Sequence, residues 1–286
     1  MDKLEKAIDR AEALIAKLEA LFHEPSRPVD WKAIAWRWVM QGGHGHLEAV
    51  SHPHQISLDH IQFVDAQKAE IVRNTRQFLA GLPANHVLLT GARGTGKSSL
   101  IKALLNAYAK DGLRLIEVER QDLVHLDQIV ELVRNRQEKF IIFCDDLTFE
   151  ANDTGYKALK VALDGSIAGN SDNVLIYATS NRKNLMPELM ADNEPLLGAN
   201  GEIRPFETID EKVALAERFG LWLSFYSFDQ DEYLKICEGW LATFNVPWNE
   251  AASRAALSFS HTRGMRSGRV AYQFARDYAG RLGLKA

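Results

Sequence analysis

Two short stretches of the chain carry residues whose types and spacing suit phosphate chemistry. The first, "GARGTGKS" at residues 91–98, fits the pattern G-x-x-x-x-G-K-[ST] and precedes an apolar helical stretch, "SSLIKALLNAYA". Glycines let the backbone wrap an anion, Lys97 reaches the β and γ phosphates, and Ser98 offers a hydroxyl to Mg²⁺. The pattern therefore predicts a phosphate-binding loop made of Gly91, Ala92, Arg93, Gly94, Thr95, Gly96, Lys97, Ser98 and Ser99.

The second stretch is "FIIFCDDLTFE" at residues 140–150, in which two acids follow an apolar run with strand preferences. A carboxylate at the edge of a core needs a compensating partner, and a hydrated Mg²⁺ beside a phosphate loop supplies one. We expect Asp145 to face the metal ion and Asp146 to act as the general base on the attacking water. Because aspartate is shorter than glutamate, Glu150 stays open as an alternative base.

A third polar residue, Asn181, ends the stretch "IYATSN". An amide at that place could orient the water or contact the γ phosphate. An asparagine after a strand is also a common turn residue, and the residue alone leaves both interpretations open.

These side chains need a scaffold that brings strand ends together. Uninterrupted apolar runs separated by helical stretches predict a parallel sheet covered on both faces, hence an α/β fold. The five predicted strands are "HVLLT" (86–90), "LRLIEV" (113–118), "FIIFC" (140–144), "NVLIYAT" (173–179) and "LWLSFY" (221–226). Helical spacing alone follows, at 229–242, 249–259 and 267–281.

The amino-terminal part has a different pattern. An apolar series with helical spacing predicts a heptad-like helix and contains Leu4, Ile8, Ala11, Ile15, Leu18 and Phe22. A second helical stripe is predicted from Trp31, Ile34, Ala35, Trp38 and Val39, and a loop from "QGGHGHLEAVSHPH". Packing of these helices on the main domain stays open, and so does a surface for self-association or for a partner. The predicted domains are a helical extension at 1–54, an α/β domain at 55–228 and a helical domain at 229–286.

Composition excludes several classes of protein. Among the 286 residues, 46% are hydrophobic and 25% charged, as in ordinary globular proteins, and the net charge of −4 indicates neither nucleic acid nor an anionic membrane as partner. The two cysteines predict no disulfide scaffold. A charged amino terminus without a signal-peptide core and the lack of a long apolar span predict a cytoplasmic protein with no membrane partner.

The order of these motifs resembles that of the AAA+ ATPases, and in detail a bacterial AAA+ family catalogued as a domain of unknown function. The similarity rests on "LLTGARGTGKSSLIKALLN", "KFIIFCDDLTFE", "ATSN", "ERFGLWLSFY" and "GMRSGRVAYQFARD", and extends from about residue 57 to the carboxyl terminus. The resemblance implies a P-loop fold with a five-stranded parallel sheet in the order 5-1-4-3-2, followed by a small helical lid.

Site roles follow from the same resemblance. Asn181 matches sensor 1, Arg218 the arginine finger that enters a neighbouring subunit's site, and Arg269 the sensor 2 arginine, with Arg266 as the alternative. Val64 matches the adenine-contacting region, although Asp65 stands where many relatives have glycine. The charge that spreads over the γ phosphoryl group during transfer is the reason for the arginines.

The implied activity is Mg-ATP binding and hydrolysis by a homo-oligomer, coupled to loading or remodelling of an unknown protein or nucleic-acid client. A nucleotide-dependent switch with little hydrolysis and a small-molecule P-loop kinase stay open as alternatives. Polypeptide threading is disfavoured, because the aromatic and glycine pair that threading relatives use to grip substrate is missing.

Two segments fall outside these roles. The histidines His44, His46, His52 and His54 lack the spacing of a known zinc site, so we predict a polar loop without metal. The long stretch "DNEPLLGANGEIRPFETIDEK" is a candidate contact surface.

Overall fold

The computed structural model describes residues 28–149, 154–164, 172–182 and 215–283. Its central feature is a sheet in which seven strands of the described chain lie in the order β2-β1-β4-β5-β6-β3-β7. The strands are β1 (Ala35–Gln41), β2 (His44–Ala49), β3 (Val87–Gly91), β4 (Leu113–Glu117), β5 (Lys139–Cys144), β6 (Val174–Ser180) and β7 (Leu221–Phe225). The helices are α1 (Asp65–Leu79), α2 (Lys97–Tyr108), α3 (Leu126–Val133), α4 (Thr154–Asp164), α5 (Gln230–Thr243), α6 (Glu250–Arg263) and α7 (Gly268–Gly283).

The α/β fold and the predicted order of the five central strands are confirmed. Strands β4 to β7, together with β3, pair in parallel. Alternate residues of β5 enter different cores: Phe140 and Ile142 pack on one face, Ile141 and Phe143 on the other. Because both faces are covered by helices, the strand has no polar side, which is why its sequence is apolar without interruption.

The strand number of five is wrong, because a hairpin adds two strands at one edge. Residues predicted as a second helical stripe form β1, which pairs in parallel with β4 and antiparallel with β2. Gly42 and Gly43 both have positive φ, +59° and +84°, as a two-residue hairpin turn requires. Trp36 and Trp38 are buried while Arg37 between them is exposed, so the burial has the period of a strand.

The helical prediction is therefore wrong for residues 35–41, and the predicted loop at residues 41–54 is wrong for residues 44–49, which form β2. The heptad-like helix predicted over the first 22 residues lies outside the described residues. The boundaries at residues 54/55 and 228/229 stay predictions. No helix in the described ranges is long and apolar enough to cross a membrane.

The three predicted carboxyl-terminal helices are present as α5, α6 and α7, which we call the lid helices. A capping box starts α5, since the Asp229 side chain accepts from the amide of Glu232 and the Glu232 side chain accepts from that of Asp229. Asn249 caps α6, and Gly264 in a left-handed conformation ends it. Helix α7 then begins next to the phosphate loop, so the lid helices and the sheet meet at the predicted site.

Candidate nucleotide-binding site

The phosphate loop, residues 91–98, connects β3 to α2 along a path that needs glycine. Gly91, Gly94 and Gly96 have φ values of +123°, +75° and +98°. A Cβ on Gly91 would lie 1.9 Å from the carbonyl oxygen of Phe225 on β7. That oxygen accepts the amide of Ala92 at 3.1 Å. The edge strand β7 thus supports the loop where it leaves the sheet, and no side chain fits between them.

Lys97, the first residue of α2, turns its ammonium group into the loop. Its Nζ donates to the carbonyl oxygens of Gly91 and Ala92 at 2.8 and 2.7 Å, and to Asn181 Oδ1 at 3.1 Å. Burial lowers the pKa of Lys97 from 10.5 to about 8, against the opposing effect of the nearby Asp145 and Asp146 carboxylates. The positive charge is therefore incompletely compensated, and a phosphate group would supply the missing negative charge.

The predicted acids lie beside the loop. Ser98 Oγ donates to Asp145 Oδ1 at 2.6 Å, which places a hydroxyl and a carboxylate at one point, as a hard cation such as Mg²⁺ requires. Asn181 Nδ2 donates to Asp146 Oδ1 at 2.5 Å. Lys97, Ser98, Asp145, Asp146 and Asn181 thus form one hydrogen-bonded group at the carboxyl ends of β3, β5 and β6.

One further residue of this group was not predicted. The buried Thr179, on β6, donates from Oγ1 to Asp145 Oδ1 at 2.5 Å and accepts the amide of Asp146 at 3.0 Å. Its spacing from Asn181 is the available signal, because residues two apart lie on the same face of a strand.

The lid helices approach the loop from the other side. The amide of Gly268 donates to the carbonyl oxygen of Gly94 at 2.8 Å. The Cβ atom of Arg269 lies 3.4 Å from the Cβ position of Gly94, and Arg269 is one of the cations that lower the pKa of Lys97. The base of the Arg269 side chain therefore lies beside the phosphate loop.

Arg266, the alternative to Arg269, has a different place. Its Nη2 donates to Gln230 Oε1 at 3.4 Å. It also lines a cavity of about 460 Å³ between the phosphate loop and the lid helices. Arg93 and His261 are the other side chains of that cavity that can carry positive charge. Arg269 is thus the arginine whose Cβ atom approaches Gly94, whereas Arg266 lines the cavity beside the loop.

The segment before α1 contacts the phosphate loop at its far end. Ile61 Cγ2 lies 3.6 Å from the Cβ position of Gly96, and Val64 is buried as the residue that precedes α1. Lys68 Nζ holds this segment by donating to the Ile61 carbonyl oxygen at 2.8 Å. Val64 is thus three residues from a direct contact with the loop, and its role toward adenine stays a prediction.

Arg218 lies away from the phosphate loop of its own chain. Its Nε donates to Asp164 Oδ1 at 2.6 Å, in an ion pair at the end of α4. Arg218 precedes β7, and β7 pairs with β3 so that Leu221 faces Val87 and Phe225 faces Gly91. Four residues of strand, about 13 Å, therefore separate the start of β7 from the loop. The structure does not bring Arg218 to this chain's own site.

The remaining predicted features are placed as follows. His44 and His46 lie on β2. Over the described ranges no group of three or more His, Cys, Asp or Glu residues is arranged to hold a metal ion. Glu150 and the stretch that begins "DNEPLLGANGE" lie outside the described residues.

The solved structures that resemble this chain share its fold. A lysine-to-arginine mutant of Thermotoga maritima RuvB matches with a TM-score of 0.51 and 16% identity over 77% of this chain. A threonine-to-valine mutant of the same RuvB matches with a TM-score of 0.50 and 17% identity, also over 77% of this chain. The chain spans 63% of the length of both RuvB chains. This likeness shows an AAA+ fold, consistent with the phosphate loop and the lid helices.

A third structure, the replication initiator DnaA bound to AMPPCP and single-stranded DNA, matches at a TM-score of 0.47 and 16% identity, over 72% of this chain and 59% of its own. No curated protein matches the sequence. A family model does match, over residues 31–282, which include every described strand and nearly all of the lid helices. The chain, with its AAA+ fold, belongs to the family described as "Protein of unknown function (DUF815)".

Proposed function

We propose that this protein binds Mg-ATP at the phosphate loop and hydrolyses it when copies of the chain assemble. The observation that carries the proposal is the continuous hydrogen-bonded group that joins Lys97, Ser98, Asp145, Asp146 and Asn181. Phosphate-loop, metal-binding and water-orienting residues come from three strand ends, and a purely structural turn has no need of all three kinds.

The side chains have separate tasks in this proposal. Lys97 holds the β and γ phosphates, and its three hydrogen bonds within the loop are exchanged for phosphate oxygens. Ser98 and Asp145 hold Mg²⁺, which supplies charge neutralisation at the phosphates. Asp146 accepts a proton from water, and Asn181, which bonds to its carboxylate, keeps that carboxylate oriented.

Assembly is part of the proposal because of Arg218. This arginine precedes β7, whose first residue is about 13 Å of strand from the loop, which supports a role of Arg218 as the arginine finger of another copy's site. Arg269 of the same chain would stabilise the γ phosphate from the lid helices. The client, a protein or a nucleic acid, is then moved or loaded by the change in assembly geometry.

The distance of Arg218 from its own phosphate loop favours one alternative function for the isolated chain. Without a neighbouring Arg218, a single copy would bind nucleotide and turn it over slowly, as a nucleotide-dependent switch does. Turnover per chain should therefore rise with protein concentration if copies activate one another, and stay constant if the protein is only a switch.

The experiment that tests the proposal is Mg-ATP binding measured by calorimetry, with turnover measured beside it. Lys97→Ala should lose binding, because no other described cation donates to the loop carbonyls in this way. Lys102→Ala is the control, since Lys102 lies on the same helix and pairs with Glu117 at 3.8 Å, away from the loop. Wild-type affinity in Lys97→Ala would refute the proposed site.

A further inference from the structure

Three hydrogen bonds hold the Asp145 carboxylate, and all three reach the same oxygen. Its Oδ1 accepts from Ser98 Oγ at 2.6 Å, from Thr179 Oγ1 at 2.5 Å and from the amide of Asp146 at 3.1 Å. Within the described residues, no hydrogen bond reaches Oδ2. The carboxylate is thus fixed through one oxygen, and its other oxygen is left for a cation.

Of these three donors, Thr179 is the one best suited to hold the carboxylate while a metal ion is bound. Ser98 is itself a candidate metal ligand, so its hydroxyl cannot serve both the ion and Asp145 equally. Strand register explains the place of Thr179: Cys144 pairs with Ala178, which sets the next residue of each strand, Asp145 and Thr179, side by side. The contact is therefore built into the sheet.

Thr179 also fixes the turn that follows β5. Its hydroxyl accepts the amide of Asp146 at 3.0 Å, and its carbonyl oxygen accepts the amide of Leu147 at 2.6 Å. Asp146 has a φ of +50°, a conformation that costs an L-residue about 1–2 kcal/mol. Because Thr179 bonds to both sides of this residue, it holds Asp146 in the conformation in which its carboxylate meets Asn181.

We propose that Thr179 is a positioning residue for magnesium: through one buried hydroxyl it orients Asp145 toward the metal ion and keeps Asp146 in its turn. The inference rests on the proposed function. It predicts that loss of the hydroxyl weakens Mg²⁺ binding, so that ATP binding requires a higher Mg²⁺ concentration. The phosphate loop itself should stay intact, because Lys97 makes no contact with Thr179 among its hydrogen bonds.

The experiment compares Thr179→Val, which keeps the shape and removes the hydroxyl, with Thr179→Ser, which keeps the hydroxyl. Binding of a fluorescent ATP analogue to the full chain is titrated with Mg²⁺, and again in excess chelator. Thr179→Val should raise the half-saturating Mg²⁺ concentration roughly tenfold or more, the effect typical of removing a partner of a metal ligand. Thr179→Ser should stay near wild type, and binding in chelator should be the same in all three.

Thr75→Val is the matched control for a purely structural effect. Thr75 is fully buried, and its hydroxyl bonds to the Ile71 carbonyl oxygen at 2.8 Å and to Tyr177 Oη at 3.0 Å, two residues before Thr179 on β6. Its loss should lower the melting temperature without changing the Mg²⁺ requirement. If Thr179→Val behaves as Thr75→Val does, the inference is overturned.

Two other outcomes separate the inference from the proposed function. If wild type binds the ATP analogue neither with nor without Mg²⁺, the proposed function fails. If wild type needs Mg²⁺ and Thr179→Val needs no more of it, only the inference fails. Should Thr179→Val not fold, Thr179→Ala and Thr179→Ser differ by the hydroxyl alone. Equal Mg²⁺ requirements in these two would overturn the inference, and a higher requirement in Thr179→Ala would support it.

Discussion

Replacing Lys97 by methionine removes a buried charge while keeping a long side chain in the phosphate loop. The lysine is only 5% exposed, and burial lowers its pKa from 10.5 to about 8. The native state therefore holds the proton less tightly than the unfolded chain does. Below pH 8 both states are protonated, and the lysine adds no pH dependence to the free energy of unfolding. Between pH 8 and pH 10.5 only the native state has released the proton, so the free energy of unfolding rises with pH.

The size of the effect follows from the pKa difference. Each pH unit between the two values adds about 1.4 kcal/mol to the free energy of unfolding of wild type relative to Lys97→Met. From pH 7.0 to pH 9.5 the accumulated change is about 2 kcal/mol in favour of wild type. Other lysines, tyrosines and cysteines titrate in both proteins, so their contributions cancel in the difference.

The assay is urea unfolding of both proteins at pH 7.0 and 9.5, without nucleotide and with chelator. Lys102→Met, on the same helix, controls for the loss of one lysine from α2. A difference between wild type and Lys97→Met that is the same at both pH values would refute the argument that the loop compensates this charge incompletely. The same reasoning predicts that at pH 9 the binding of Mg-ATP takes up a proton, which calorimetry in buffers of different ionisation enthalpy measures.

Three other perturbations test separate parts of the structure. Gly91→Ala should lower the free energy of unfolding by at least about 3 kcal/mol, because its Cβ would meet a backbone oxygen. Gly96→Ala should lower it by only about 1–2 kcal/mol, the cost of conformational strain. Denaturant unfolding of the two variants checks this difference, and equal losses would contradict it. Arg218→Ala should leave ATP affinity intact and cut turnover of the assembled protein by about 10³-fold or more, and normal turnover at high protein concentration would exclude a finger role. Burial lowers the pKa of His86 from 6.5 to about 4, so the free energy of unfolding should fall as the pH drops below 6.5, by about 2.5 kcal/mol at pH 4.5. His86→Asn cannot take up that proton, so its free energy of unfolding should lack this part of the pH dependence. Parallel pH profiles of the two proteins would contradict the assignment.

The strands that carry the site could be predicted because burial determines the pattern of their sequences. Burial on both faces makes β3, β5 and β6 apolar over most of their length, and polar residues such as Asp145 and Asn181 then mark the strand ends. The hairpin could not be predicted from the same signal. Trp31, Ile34, Ala35, Trp38 and Val39 match a helical period, but only the alternating burial of β1 and the two positive φ values at Gly42 and Gly43 identify a strand and its turn.

Thr179 was missed for a different reason. Its hydroxyl acts on Asp145, which is 34 residues earlier in the chain, and the contact exists only because β5 and β6 are neighbours with Cys144 opposite Ala178. Strand order was predicted from a resemblance, but register was not, and register decides which side chains meet. A single sequence shows which residues can do chemistry more readily than which residues hold them in place.

The edge strand β7 connects the phosphate loop, the lid helices and the segment that contains Arg218. At its carboxyl end, the Phe225 carbonyl oxygen accepts the amide of Ala92 and packs on Gly91, so the strand is in direct contact with the phosphate loop. Arg218 lies just before its amino end. After β7 the chain enters the lid helices, which contact the loop through the hydrogen bond from the Gly268 amide to the Gly94 carbonyl oxygen. Because short backbone contacts join the strand, the loop and the lid helices, a nucleotide bound at the loop would act on β7 and on the lid helices through the same contacts. If Arg218 serves a neighbouring site as proposed, the same contacts would connect each site to the arginine that it offers its neighbour.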